Sequence, residues 1–256
     1  MIAVGVVVPA RDEQDHITAC LHSVRRALQR LPTDTASALT VVLDRCTDRT
    51  PERVAELIAE WPQAEAVHVT RAASGRGRML GVPASEVGAL RDLGLRRVLS
   101  RLGAHPLHRT WLLSTDADST VPPDWAMAHL RHAASGAHAV AGLAELTCLR
   151  HLSAEALVRY RALVASGLHG RCHEHVYGAN LGIRADAYLA VGGFPAAGAG
   201  EDHGLWRRLR EAGYHLVQPT DLRVLTSSRV QGRAEGGLAE LLRSLHLPLP
   251  AVGSGA

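Results

Sequence analysis

The chain has 256 residues, 46% of them hydrophobic, 21% charged and only 4% aromatic, with a formal net charge of +3. That length accommodates one large α/β domain with a full core, and the ordinary charge content excludes a disordered chain. No run approaches the about 18 uninterrupted apolar residues of a membrane span, and residues 2–8 are too short and lack the basic flanks of a signal peptide.

All 28 basic residues are arginine, so mechanisms that need a Schiff-base or phosphate-gripping lysine are excluded. The arginines alternate with acids and have few aromatics among them, which argues against a nucleic-acid partner. Cys20, Cys46, Cys148 and Cys172 are scattered with no CxxC pair. Neither a disulfide framework nor a structural zinc site is expected, and a reducing cytoplasm suits them.

Residues 2–8 are a β-branched run ending at Pro9 and read as a buried parallel strand. Asp15 is placed to cap a helix over 16–30 that sets Ile17, Leu21, Val24 and Leu28 on one face. A strand over 39–43 ends at Asp44, and Thr50-Pro51 starts a helix through Glu60. A strand over 66–70 precedes a glycine-arginine loop at 74–78 and a helix within 85–102. A fourth strand over 111–114 runs into Asp116 and Asp118. Strands alternating with helices across short connections predict a parallel sheet with helices on both sides.

The second half is less regular. A helix is expected over 124–135, a strand over 138–146, a long amphipathic helix over 153–167, a polar loop over 170–177 and a short strand over 179–183. Gly192-Gly193-Phe194-Pro195 marks a turn, and 201–212 reads as a helix stopped by Gly213. The Pro- and Gly-rich residues from His246 are expected to fray. With no repeat or linker, one domain over 1–245 is the simplest reading, with about 1–120 as one half and about 121–245 as the other.

Open parallel sheets bind ligands beyond the carboxyl ends of their strands. Three of the expected strands end there in acid: Arg11-Asp12-Glu13, Asp44 and Asp116/Asp118. One such acid commonly closes a turn, whereas three on one edge point to a site. In Asp116-Ala117-Asp118, two carboxylates two residues apart can reach one Mg²⁺ or Mn²⁺, an ion that neutralises a diphosphate leaving group. The alternative is an Asx turn before the helix at Asp124.

Four segments then stand in order: Val7-Val8-Pro9-Ala10-Arg11-Asp12-Glu13, Asp44-Arg45-Cys46-Thr47-Asp48-Arg49-Thr50, Asp116-Ala117-Asp118 and Gly200-Glu201-Asp202. Together they resemble a family 2 glycosyltransferase of the GT-A fold, over about residues 2–230. The resemblance implies a single α/β domain with a Rossmann-like, mostly parallel central sheet flanked by helices and an irregular acceptor-side half. It also implies transfer of a sugar, with inversion, from a UDP- or GDP-sugar to a hydroxyl, assisted by Mg²⁺ or Mn²⁺.

By the same resemblance, Pro9, Ala10, Arg11 and Glu13 face the ribose and base, and Asp44 meets the base edge. Arg78 stands where the family carries lysine toward the nucleotide. Asp116 and Asp118 are the metal-and-ribose pair. Asp202 is the base that deprotonates the acceptor, with Glu201 orienting acceptor or backbone. Without the resemblance, these last two acids read as ordinary charges in a helix's first turn.

The Gln-x-x-Arg-Trp motif and membrane helices of the family's processive synthases are absent; Trp206-Arg207-Arg208 lacks the glutamine, and Trp206 reads as a core residue. A soluble, non-processive enzyme with a small-molecule or natural-product acceptor follows, cytoplasmic, with no integral membrane segment and a homodimer left open. Arg229 and Arg233 read either as a diphosphate clamp or as surface arginines. The Cys172-His173-His175 loop, His203 and Asn180 stand on the acceptor side with their roles open. A nucleotidyltransferase-like enzyme and a non-catalytic nucleotide-binding homologue are the rival readings. A Rossmann oxidoreductase is disfavoured because no GxGxxG follows the first strand.

Overall fold

Eight consecutive buried residues, Ala3–Ala10, make strand β1, and the rest of the architecture is arranged around it. The computed structural model describes residues 1–70, 87–147, 152–195, 200–229 and 238–245. After β1 come α1 (Ile17–Gln29), β2 (Ala36–Asp44), α2 (Thr50–Ile58), β3 (Ala64–Val69), α3 (Val87–Arg101), β4 (Thr110–Ser114), β5 (Ser119–Thr120) and α4 (Trp125–Ala134). The second half adds β6 (Ala139–Ala141), β7 (Leu143–Leu146), α5 (Ala154–Ser166), β8 (Leu168–His169), β9 (Cys172–His173), β10 (Leu181–Arg184) and α6 (Ala185–Ala190). It closes with α7 (Glu201–Glu211), β11 (Leu216–Val217), β12 (Arg223–Thr226) and α8 (Leu238–Leu245).

Seven strands form the main sheet in the order β11-β6-β10-β4-β1-β2-β3. β1 pairs in parallel with β2 and β4, β2 with β3 and β6 with β11, while β10 runs antiparallel to both β4 and β6. A continuous apolar run suits β1 because both sheet faces are covered. Val4, Val6 and Val8 pack under α1, α2 and α4 on one face. Ala3 and Val7 pack under α3, α6 and α7 on the other. A second sheet, β5-β12-β7, is held together by Thr226–Ser119 and Arg223–Leu143 pairing, and Asn180 ties it to the first sheet by donating to Leu143 O and Leu222 O.

Gly94 allows α3 to lie hard against the sheet. A Cβ there would stand 2.2 Å from Val7 Cγ2 and 2.8 Å from Val42 Cγ2, so only glycine fits without moving the sheet. That close seating fixes the height of Arg91, one turn earlier on the same buried stripe.

Several expectations are corrected. Asp15 does not cap α1; His16 and Ile17 donate their backbone N–H groups to Glu13 O at 3.0 and 2.9 Å instead. The strand expected over 138–146 is two strands broken at Gly142, with β6 in the main sheet and β7 in the second. The polar loop over 170–177 holds β9 and buries His173 and Val176. The short strand expected at 179 begins at Leu181, after a 3₁₀ turn over Gly178–Asn180. The residues expected to fray, from His246, and the glycine-arginine loop at 74–78 lie outside the described residues. No described helix is long and apolar enough to cross a membrane.

Candidate functional site

The carboxyl ends of β1, β2 and β4 lie side by side, and the three acidic segments read from the sequence meet there. The turns that follow β1 and β2 are tightly laced. Asp12 and Arg45 both take left-handed backbone angles, φ 49° and 47°, which non-glycine residues adopt at a cost. Thr47 donates its backbone N–H to Asp12 Oδ1 at 2.6 Å, Gln14 and Thr50 donate theirs to Asp48, and Glu13 N–H donates to Thr50 Oγ1 at 2.7 Å.

Asp44, only 2% exposed at the end of β2, is gripped by the Arg45 fork at 2.7 and 2.9 Å, with Arg11 Nη1 at 3.7 Å. Pro9 and Ala10 form the buried floor beside it. The ion pair with Asp44 keeps the Arg45 guanidinium protonated beyond its ordinary range.

Asp116 and Asp118 sit on the turn after β4, closed by Ser119 N–H donating to Asp116 O at 3.0 Å. Asp118 also faces the loop after β12: Ser227 N–H donates to Asp118 O at 3.2 Å and Thr226 Oγ1 lies 3.5 Å from Asp118 Oδ1. Arg229, on that loop, reaches Asp118 Oδ2 at 3.0 Å and forks onto the buried Glu13 at 2.6 and 2.8 Å. Arg229 is thus a half-buried, ion-paired arginine rather than a freely solvated one.

Burial raises the Asp118 carboxyl, and Asp116 raises it further; Arg229 opposes both, and the net is a value of about 6. The pair presents hard carboxylate oxygens on one turn. Those are the properties that suit a divalent cation such as Mg²⁺ or Mn²⁺.

On the other side stands Arg91, which the sequence reading did not single out. Its guanidinium is 3% exposed. Nη2 donates to Asp116 Oδ1 at 2.8 Å, Nη1 to Ser114 Oγ at 2.8 Å and Gly178 O at 3.3 Å, and Nε to Glu201 Oε1 at 3.4 Å. Burial works against its charge, yet the carboxylates of Asp116 and Glu201 outweigh it and hold the guanidinium protonated. A Cβ at Gly178 would come within 2.6 Å of Arg91 Nη2, so the side chain fills the space that glycine leaves.

Glu201 and Asp202 open α7. Burial raises the Glu201 carboxyl, Arg91 opposes this and Asp202 adds to it. Asp202 accepts Gly178 N–H on Oδ2 at 2.9 Å and His203 N–H on Oδ1 at 2.7 Å, so its carboxylate is fixed in orientation. His203 is exposed and Trp206 is buried at 3%, as a core residue.

Other expectations resolve differently. Asn180 is fully buried and spends its amide inside: Oδ1 accepts Trp125 Nε1–H at 2.9 Å, and Nδ2 donates to Leu143 O and Leu222 O. It fastens the two sheets and has no sugar contact to make. Cys172, His173 and His175 do not converge; His173, His175 and Tyr177 stack along one side of the strand at centroid spacings of 5.9 and 5.7 Å. Among the described residues, the group of three ligating side chains within one ion's reach is Asp12, Cys46 and Asp48, all engaged in the loop bonds above or, for Cys46, with Ala10 O. Arg78 and Arg233 lie outside the described residues. A cavity of about 520 Å³ beside α4, lined by Thr120, Asp124, Arg131 and Arg223 among others, includes none of the candidate residues.

Among solved structures, the chain is similar to the mannosyltransferase PcManGT from Pyrobaculum calidifontis in complex with GDP-Man and Mn²⁺, with a TM-score of 0.60 and 19% identity over 95% of this chain and 70% of that one. S. aureus TarS 1–349 in complex with UDP-GlcNAc gives a TM-score of 0.63 and 14% identity over 95% of this chain and 65% of that one. The chain has the GT-A fold. A mycobacterial protein is also similar, at 0.53 and 18% identity over 94% of this chain and 70% of that one. No protein-family model matches the sequence, and no curated protein does.

On the GT-A fold, the carboxyl edge that carries Glu13, Asp44, Asp116 and Asp118 is the edge at which open α/β sheets receive ligands. The acids of α7 reach that edge from the opposite side through Arg91 and Gly178.

Proposed function

We propose that the protein is a metal-dependent glycosyltransferase that moves a sugar, with inversion, from a UDP- or GDP-sugar to a hydroxyl of a small-molecule or natural-product acceptor. The observation that carries this reading is that one carboxylate of each pair, Asp116 of Asp116/Asp118 and Glu201 of Glu201/Asp202, meets the buried guanidinium of Arg91. Support comes also from the similar structures, which hold GDP-Man with Mn²⁺ in one case and UDP-GlcNAc in another. Residues 1–245 act in this reading as one domain, its first half binding donor and its second half acceptor, in a cytoplasmic setting.

In this reading Asp116 and Asp118 hold Mg²⁺ or Mn²⁺, which when bound offsets the charge of the diphosphate leaving group. Asp44 with Arg11 and Arg45 edges the base, and Glu13 beside Pro9 and Ala10 faces the ribose. Arg229 provides a forked donor for phosphate oxygens, a geometry guanidinium suits better than ammonium. Asp202 takes the proton from the attacking hydroxyl, its orientation held by Gly178 and His203. Glu201 stays tied to Arg91 and keeps α7 in register with the donor side.

Nucleotide diphosphate release from UDP- and GDP-sugars, with Mn²⁺ and a panel of hydroxylic acceptors, tests the reading. Asp202→Asn is expected to lower kcat by about 10²- to 10⁴-fold, the usual contribution of a positioned base, with donor affinity unchanged. An equally active Asp202→Asn would remove Asp202 as the base.

A further inference from the structure

We propose that Arg229 is a tethered cation held between Glu13 and Asp118, and that it must release Asp118 for a divalent ion to bind across Asp116 and Asp118. The inference rests on the donor-site reading above and adds a competition that reading does not contain.

The geometry is that of a stand-in ion. Both terminal nitrogens of one guanidinium lie on the Glu13 carboxylate at 2.6 and 2.8 Å, and one of them also lies 3.0 Å from Asp118 Oδ2. Glu13 is 5% exposed and the Asp118 side chain 11%, so these contacts are made with little water to screen them. A guanidinium carries its positive charge throughout the working pH range. A second positive charge cannot share the Asp118 oxygens with it at contact distance without strong repulsion.

Arg229 can leave Asp118 by turning its own side-chain torsions. It stands three residues beyond the end of β12, whose two-residue pairing with β5 is short. Ser119 Oγ donates to Thr226 Oγ1 at 2.9 Å and Ser227 N–H donates to Asp118 O at 3.2 Å, so the backbone just before Arg229 is fastened to the Asp118 turn. A diphosphate arriving with the ion offers the displaced guanidinium new anionic oxygens, so ion and nucleotide each favour the other's binding through Arg229. The apparent affinity for an ion alone falls by the fraction of molecules in which Arg229 is off its seat, so a fraction of about one tenth weakens it about ten-fold.

The test is Mn²⁺ binding followed by electron paramagnetic resonance, with no sugar donor present, on wild type, Arg229→Met and Arg229→Lys. The expected result is Mn²⁺ bound at least about ten-fold more tightly by Arg229→Met than by wild type, with Arg229→Lys between them. Added UDP or GDP is expected to tighten Mn²⁺ by a larger factor in wild type than in Arg229→Met. Equal or weaker Mn²⁺ binding by Arg229→Met overturns the proposal, and if that variant does not fold, wild-type affinity in Arg229→Lys does so. Asp118→Ala separates this from failure of the donor-site reading: if its loss leaves Mn²⁺ and nucleotide binding intact, the metal seat itself is misassigned.

Discussion

Asp116 and Glu201 share one guanidinium. Arg91 Nη2 lies 2.8 Å from the first and Nε 3.4 Å from the second, so the turn after β4 and the start of α7 are joined through α3. One buried positive charge thereby sets the distance between Asp116 and Glu201.

Removing that charge leaves two close carboxylates, one of them well buried, without compensation. Loss of one partner of a buried pair commonly costs about 3–5 kcal/mol, and the lower end applies here because the Asp116 side chain is 33% exposed. Arg91→Met is therefore expected to lower the urea midpoint by the equivalent of about 3 kcal/mol. Arg91→Lys, which keeps the charge but not the fork, should recover stability in part and activity poorly. Full activity in a folded Arg91→Met would disconnect Arg91 from the chemistry.

His129 supplies the acid sensitivity. It is fully buried against the edge of Trp125, and burial lowers its ring from the ordinary 6.5 to about 3. The unfolded chain takes up that proton below about pH 6.5 and the folded one does not until about pH 3, so stability is lost as pH falls through this window. Each unit between the two values is about 1.4 kcal/mol. Denaturant midpoints at pH 7 and pH 4.5 are expected to differ less in His129→Leu than in wild type; equal differences would contradict the assignment.

Asn180 is expected to matter for folding rather than for acceptor binding. Its amide closes three bonds among Trp125, Leu143 and Leu222, and Asn180→Ala takes the partner from the buried indole N–H and the amide donor from Leu143 O, while Leu222 O keeps Leu143 N–H. Each such group left unpaired costs about 1–3 kcal/mol. The expected outcome is a lower melting temperature with the acceptor KM unchanged in the molecules that remain folded.

Gly94 tests the seating of α3. A Cβ at 2.2 Å from Val7 Cγ2 overpacks the core, at a typical cost of about 1–3 kcal/mol. Gly94→Ala should also lift Arg91 away from Asp116, so activity is expected to fall along with the melting temperature. A stable Gly94→Ala with normal activity would show that the α3 height does not set the site.

The strands of the first half were legible because β1, β2 and β4 are buried on both faces and end in acid, a pattern that needs no partner to be seen. Asp118 and Glu13 were singled out from the sequence for the same reason, and the structure puts both at that carboxyl edge. The 138–146 break was not, because its apolar run continues through Gly142 while the chain changes sheets, and only the pairing of Ala139 with Ile183 and of Leu143 with Arg223 separates the two. Two-residue strands such as β5 and β11 carry no periodicity to read.

Arg91 had a signal that went unused. It shares the stripe Arg91, Gly94, Leu95, Val98, at the i, i+3, i+4, i+7 spacing of a buried helix face, where a lone arginine needs acids opposite it. The capping role assigned to Asp15 failed because Glu13, two residues earlier, had already turned its carbonyl to the helix start.

The most direct test of a metal-bridged nucleotide site at Asp116 and Asp118 is calorimetric binding of UDP and GDP, with and without Mn²⁺, to wild type and Asp118→Ala. Micromolar binding of one nucleotide that requires Mn²⁺ and disappears in folded Asp118→Ala is the predicted result. Binding that is indifferent to Mn²⁺ and to Asp118 would contradict it.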